Sequence, residues 1–145
     1  MKALFAGSFD PFTIGHDSIV RRALHIFPDG VIIAVGINCN KIGTTDTQQR
    51  LDTIRRIYRH EPRVQVISYT TLTTDAAQQH GAGILLRGAR SVKDFEYERD
   101  LADINRSISG LDTIILPAEP HLAMISSSMV RELQRYGKDI SQYLP

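Results

Sequence analysis

The sequence predicts an α/β, Rossmann-like fold: a five-stranded parallel sheet with helices on both faces, in a single domain of residues 1–145. Five short apolar runs are nearly continuous in hydrophobic residues, as expected of strands covered on both faces. Amphipathic runs alternate with them, in the order of a doubly wound sheet. The 145 residues, 42% of them hydrophobic, fit one domain, and no repeat or Pro/Gly/Ser-rich linker divides them.

The strands are predicted from β-type runs bounded by polar or glycine residues. In chain order they are KALFAG (2–7), GVIIAVGI (30–37), RVQVIS (63–68), GILLRG (83–88) and DTIILP (112–117). Such runs, separated by helix-length segments, favour parallel pairing.

The helices are predicted from apolar residues at helical spacing. Their ranges are 16–27, 46–60, 72–81, 91–108 and 127–137. The expected apolar faces are Ile19, Ala23 and Ile26; Leu51, Ile54, Ile57 and Tyr58; Phe95, Leu101, Ile104 and Ile108; and Met129, Val130 and Leu133. Asp46 or Thr47 and Ser91 are suitable N-caps, and Gly81 is suited to end the third helix.

Bulk properties exclude several classes of protein. A net charge of +1 gives no overall attraction to nucleic acid or to a membrane surface. No apolar run is long enough to span a bilayer, and MKALFAG is too short for a signal peptide. The single Cys39 and scattered histidines indicate a reducing cytoplasm and no metal site. A Walker A motif is absent, so a P-loop is not expected.

Residues that follow the strands predict a phosphate site, because ligands of such sheets bind at the carboxyl ends of the strands. They are Gly7 to Asp10 after the first strand, Asn38 to Lys41 after the second, Arg87 to Arg90 after the fourth and Pro117 to Glu119 after the fifth. Arginines, serines, glycines and helix starts are suited to phosphate oxygens.

The stretch GSFDPFTIGH, residues 7–16, connects the first strand to the first helix. Gly7 would let a ligand approach the main chain, and His16 falls in the opening turn of the helix, where anions are favoured. A loop whose histidine only caps or packs is the alternative. The position of His16 at the edge that carries Arg87 and Arg90 favours a reactive site.

Two motifs then identify a resemblance. GSFDPFTIGH matches the (T/H)xGH signature of the nucleotidyltransferase superfamily, and ISSSMVRE, residues 125–132, matches its ISSxxxR signature. Thr13 at the variable first position, with LLRGARSVKDFEYE at residues 85–98, resembles the bacterial phosphopantetheine adenylyltransferase family. The resemblance covers nearly the whole chain. It implies direct in-line transfer of AMP from ATP to the phosphate of 4′-phosphopantetheine, giving dephospho-CoA and pyrophosphate.

The resemblance also implies residue roles. His16, Lys41 and Arg87 would be catalytic, and the acceptor would contact Ser8, Lys41, Leu72, Thr73 and Arg87. The ATP-binding residues would be Ser8, Phe9, His16, Gly88, Ala89, Arg90, Glu98, Leu122, Ala123, Met124, Ile125, Ser126, Ser127 and Ser128. Mg²⁺ would arrive on the ATP phosphates. A homo-oligomer is implied, hexameric by resemblance. The charged run 94–100 is either a solvated face or a subunit contact, which makes its helix a candidate interface.

Several alternatives stay open at this stage. Arg87 and Arg90 could bind local carboxylates of the acidic run instead of phosphate. Lys41 could be a solvated loop lysine, in a loop that departs from the family pattern from Cys39 to Thr45. Another small nucleotidyltransferase, of the nicotinate-nucleotide or glycerol-phosphate type, is the nearest competing function. A non-catalytic nucleotide or coenzyme A sensor on the same fold is the competitor from a different class.

Overall fold

Five parallel strands and the helices between them make up the part of the chain that the computed structural model describes, residues 1–38 and 46–145. Lys41 and Cys39, singled out from the sequence, lie outside the described residues. The strands are β1 (Lys2–Gly7), β2 (Val31–Gly36), β3 (Val64–Tyr69), β4 (Ala82–Ala89) and β5 (Thr113–Pro117). The helices are α1 (Ile14–Ile26), α2 (Thr47–Ile57), α3 (Thr73–Gln79), α4 (Val92–Ser109) and α5 (Ser127–Arg135).

The strand order is β3-β2-β1-β4-β5, with β1 in the middle of the sheet. Phe5 of β1 lies opposite Ile33 of β2 on one side and Leu86 of β4 on the other, and every pairing is parallel. The predicted fold class is therefore confirmed. The chain moves outward from β1 to β3 and then crosses to β4, so β1 and β4 flank the switch point where ligands of this architecture bind.

Hydrophobic side chains fill both faces of the sheet. Phe5 and Ile33 pack on one face with Val20 of α1, whereas Leu4 and Ala77 belong to the cluster on the opposite face. Neighbouring residues of a strand point to opposite faces, so the continuous apolar sequence of β1 serves both clusters. Of the helices in the described part of the chain, none combines the length and apolar character needed to cross a membrane.

The predicted N-caps of α2 and α4 are confirmed, whereas α1 begins at Ile14, two residues before the predicted start. The Asp46 carboxylate accepts the N–H of Gln48 and caps α2, and Ser91 accepts the N–H of Asp94 and caps α4. Each cap satisfies a helix donor that has no partner within its helix. Gly81 follows α3 with a φ of +71°, as a terminating glycine should.

Two predicted helix faces are wrong in part. Ile26, the last residue of α1, is exposed, because the chain turns there and buries Phe27 instead. In α4, Phe95, Ile104 and Ile108 are also exposed, and the one fully buried side chain of this helix is that of Glu98. The helix lies against β4 and β5, its Glu98 carboxylate pairs with Arg87 of β4, and these three apolar side chains face outward.

Candidate active site

The carboxyl ends of β1 and β4 open onto a cavity of about 300 Å³. Twelve of the predicted site residues line it: Ser8, Phe9, His16, Arg87, Gly88, Ala89, Arg90, Leu122, Ile125, Ser126, Ser127 and Ser128. These residues come from four separate parts of the chain. The parallel sheet brings them together because its strands all end at the same edge.

The capping box at the start of α1 fixes the orientation of His16. The main-chain N–H of Thr13 donates to His16 Nδ1 at 2.9 Å, and the His16 N–H donates to Thr13 Oγ1 at 3.4 Å. Since a main-chain N–H can only donate, Nδ1 carries no proton and the neutral ring carries its proton on Nε2. The Nε2–H group of His16 is therefore a hydrogen-bond donor at the N-terminal end of α1.

The surroundings of His16 keep the imidazole neutral. The rings of Phe9 and Phe12 lie with centroids 5.0 and 5.3 Å from that of His16. Burial lowers the pKa of His16 from 6.5 to about 4, and the positive charges of Arg90 and Arg87 act in the same direction. At neutral pH the ring is thus an uncharged donor facing an electropositive cavity.

Gly7 lines the cavity, so its predicted role beside a ligand stays a prediction, and it also has a packing role. A Cβ at Gly7 would lie 3.0 Å from two ring carbons of Phe9, so the missing side chain makes room for that ring. Phe9 itself has a φ of +48°, an uncommon value for a residue other than glycine. Its buried ring is wedged between Gly7 and His16, which orients the imidazole from a second side.

Arg87 lies near the carboxyl end of β4, and a carboxylate holds its side chain. Its Nε and Nη2 donate to the two carboxylate oxygens of Glu98 at 2.7 and 2.8 Å, and Nη1 donates to the Ala6 carbonyl at 2.6 Å. The alternative of local carboxylate pairing is therefore realised. These three bonds leave two of the five guanidinium N–H groups for a ligand. Glu98 lies behind Arg87 and is not part of the cavity lining.

Arg90 is less constrained than Arg87. Its Nε lies 3.5 Å from the Asp94 carboxylate, and its side chain is 44% exposed. The cavity lining includes both arginines and contains no Asp or Glu side chain among the described residues. A chain of net charge +1 thus concentrates positive charge at this edge, as an anionic ligand requires.

We call residues 8–13, between β1 and α1, the first loop. Two side chains of α5 hold its main chain: Ser127 Oγ donates to the Pro11 carbonyl at 2.8 Å, and Arg131 Nη1 donates to the Asp10 carbonyl at 2.6 Å. The two signature motifs are therefore bonded to each other. Arg131 belongs to the second signature motif, but nothing in that motif indicated this contact with the first loop.

The other predicted site residues lie outside the cavity lining. Leu72 is exposed, and the Thr73 hydroxyl lies 2.9 Å from that of Tyr69, at the same sheet edge but two strands from β1. Ala123 and Met124 follow a short 3₁₀ turn, and Met124 is 75% exposed. Their roles, like that of Lys41, stay predictions.

Within residues 1–38 and 46–145, no group of three or more His, Cys, Asp or Glu side chains is arranged to hold a metal ion. The described cavity lining offers hydroxyl, imidazole and guanidinium groups. Such groups fit a magnesium ion that is carried by phosphate oxygens better than one bound by the protein alone.

Comparison with known proteins gives a consistent picture. The cytidylyltransferase-like family matches residues 4–133. A phosphopantetheine adenylyltransferase of Bacteroides thetaiotaomicron is 54% identical over 144 residues, covering 99% of this chain and 95% of the relative. One of Porphyromonas gingivalis is 54% identical over 143 residues, covering 99% and 93%. The structure of the NadR protein in complex with NR aligns with a TM-score of 0.62 at 16% identity, over 94% of this chain and 41% of the other.

Proposed function

The chain belongs to the cytidylyltransferase-like family, and from this premise we propose that it transfers AMP from ATP to the phosphate of 4′-phosphopantetheine. The products are dephospho-CoA and pyrophosphate, and the reaction belongs to coenzyme A biosynthesis. The observation that carries the proposal is the neutral, Nε2-protonated His16, which shares one cavity with Arg87 and Arg90. Relatives named for this activity and similar over nearly their full length support the choice of acceptor.

The proposed mechanism needs no general base, because the attacking phosphate is already an anion. It needs alignment of two anionic substrates and stabilisation of the charge that develops on the α-phosphoryl oxygens. His16 Nε2–H donates to that charge, and the two remaining N–H groups of Arg87 hold the acceptor phosphate. Lys41 offsets the repulsion between the substrates, and Ser8 orients the reacting phosphates.

The ATP subsite is proposed at the start of α5 and the end of β4. Ser126 caps α5 by accepting the N–H of Met129, which leaves the earlier main-chain donors of the helix directed at the cavity edge. Arg90 supplies a partly exposed positive charge for the triphosphate. When bound on the triphosphate, Mg²⁺ would neutralise part of its charge, and Ser8 and the serines of this terminus are the residues that would hold it.

The proposal is tested with His16→Ala. We expect kcat to fall by about a hundredfold or more with ATP binding partly retained, since one donor to a developing oxyanion typically contributes that much. His25→Ala, an exposed histidine of the same helix, is the matched control. Pyrophosphate release and dephospho-CoA mass are measured with phosphopantetheine, and separately with nicotinate mononucleotide. Near-normal turnover in His16→Ala, or preference for the second acceptor, contradicts the proposal.

Self-association and location complete the proposal. We place this enzyme in the cytoplasm, consistent with its single cysteine.

We propose a homo-oligomer, hexameric by resemblance, with α4 in the interface. The exposed large apolar side chains of α4 support this: Val92, Phe95, Tyr97, Ile104 and Ile108. Light scattering of Ile104→Asp against the unchanged chain tests it, and an unchanged mass contradicts this role of α4.

A further inference from the structure

Arg50 of α2 binds the main chain of the first loop. Its Nη1 donates to the Ser8 carbonyl at 2.6 Å, and its Nη2 donates to Thr47 Oγ1 at 3.2 Å. The Nε atom is buried without a hydrogen-bond partner among the described residues. Burying the Nε–H group without a partner costs free energy, and the same guanidinium binds the Ser8 carbonyl. This cost indicates that holding the Ser8 carbonyl in place is important.

The Ser8–Phe9 peptide group relates that carbonyl to the cavity. In a trans peptide the C=O and the N–H point in opposite directions, and the one cis bond found in the described chain is Asp10–Pro11. With the Ser8 oxygen bound by α2, the Phe9 N–H points away from α2. Within the described part of the chain this N–H donates to no main-chain or side-chain acceptor, and both Ser8 and Phe9 line the cavity.

We propose that Arg50 is a positioning residue: by binding the Ser8 carbonyl it aims the main-chain N–H of Phe9 into the cavity, where that N–H donates to a phosphate oxygen of the nucleotide. The left-handed φ of Phe9 supports this, because a residue with a large side chain adopts it only when other contacts impose it. The inference rests on the proposed function for the identity of the nucleotide. The orientation of the peptide itself depends only on contacts within the protein.

The decisive measurement is the Phe9 amide resonance, followed in protein labelled with ¹⁵N-phenylalanine, which has five such residues. ATP is added without acceptor to the unchanged chain and to Arg50→Gln, Arg50→Lys and Arg56→Gln. Arg56 is an exposed arginine of the same helix and lines the same neighbouring cavity as Arg50, so it matches the change of charge. We expect ATP to shift the Phe9 resonance in the unchanged chain and in Arg56→Gln, and far less in Arg50→Gln.

ATP affinity by calorimetry should fall about tenfold in Arg50→Gln, recover partly in Arg50→Lys, and stay unchanged in Arg56→Gln. KM for the acceptor should stay within twofold in all of them. If Arg50 has only a structural role, Arg50→Gln should lower the melting temperature and reduce ATP affinity only in proportion to the unfolded fraction. That result overturns the proposal.

The proposal is also overturned if ATP does not shift the Phe9 amide resonance in the unchanged chain. This outcome is decisive even if Arg50→Gln does not fold. Failure of the proposed function is recognised separately. In that case ATP still binds and shifts the Phe9 resonance, but phosphopantetheine gives no dephospho-CoA.

Discussion

Replacing His16 with glutamine should remove a pH dependence of stability that the unchanged chain possesses. Glutamine at this position keeps the capping box, because its side chain can accept the Thr13 N–H, but it does not titrate. In the folded chain the pKa of His16 is lowered to about 4, whereas the unfolded chain has the ordinary value near 6.5. The unfolded state therefore binds a proton at pH values where the folded state does not.

The direction and size of the effect follow from this difference. Above pH 6.5 the histidine leaves stability unaffected, and below it the free energy of unfolding falls as the pH falls. At about 1.4 kcal/mol per pH unit, the loss relative to His16→Gln is about 2 kcal/mol at pH 5 and approaches about 3 kcal/mol near pH 4.

Urea unfolding of both proteins, at one protein concentration and at pH steps from 7.5 to 4.5, measures the difference. NMR titration of His16, with the other four histidines as references, reports its pKa and tautomer directly. Parallel stability curves for the two proteins, a pKa near 6.5, or a proton on Nδ1 would refute the proposed environment of His16.

Three further predictions concern the contacts that shape the cavity. Glu98→Gln removes the negative charge of a largely buried ion pair and should lower the free energy of unfolding by about 2–3 kcal/mol, or the melting temperature by about 5–10 °C. A change in melting temperature under about 1 °C would show that the position of Arg87 does not depend on Glu98. Gly7→Ala forces a methyl group onto the Phe9 ring and should cost about 1–3 kcal/mol together with activity, whereas unaltered stability and kinetics would mean that the ring moves freely. Ser127→Ala should cost about 1 kcal/mol, measured by urea unfolding, with Ser127→Thr as the conservative control, and equal losses in both would contradict a hydroxyl role.

The fold was predictable because its signals are local and periodic. Continuous apolar runs, helical spacing and cap residues such as Asp46 and Ser91 carry their information within a few neighbouring residues. The α4 surface was not predictable in the same way. Periodicity shows that Phe95, Ile104 and Ile108 share apolar character, but it does not show whether a sheet or another surface covers them.

Sequence reasoning identified most of the cavity-lining residues but few of their contacts. His16 was recognised through its motif, whereas its tautomer depends on a main-chain donor that only coordinates show. Arg50 and Arg131 were missed because their partners are carbonyl oxygens, which every residue has and no side-chain pattern marks. The packing constraint on Gly7 was missed for a related cause: the ring that needs the space belongs to Phe9, two residues later.

The bonds to the first loop have a consequence for the newly made chain on the ribosome. The loop is synthesised early, but the side chains that bind its carbonyl groups are synthesised much later. Arg50 follows its partner Ser8 by 42 residues, and Arg131 follows its partner Asp10 by 121 residues. Arg87, 81 residues after Ala6, emerges between these two. Nascent chains emerge from their N-terminus and fold by domains. A ribosome-bound chain that has not yet exposed α5 should therefore bind nucleotide poorly, and capacity to bind it should appear late in synthesis.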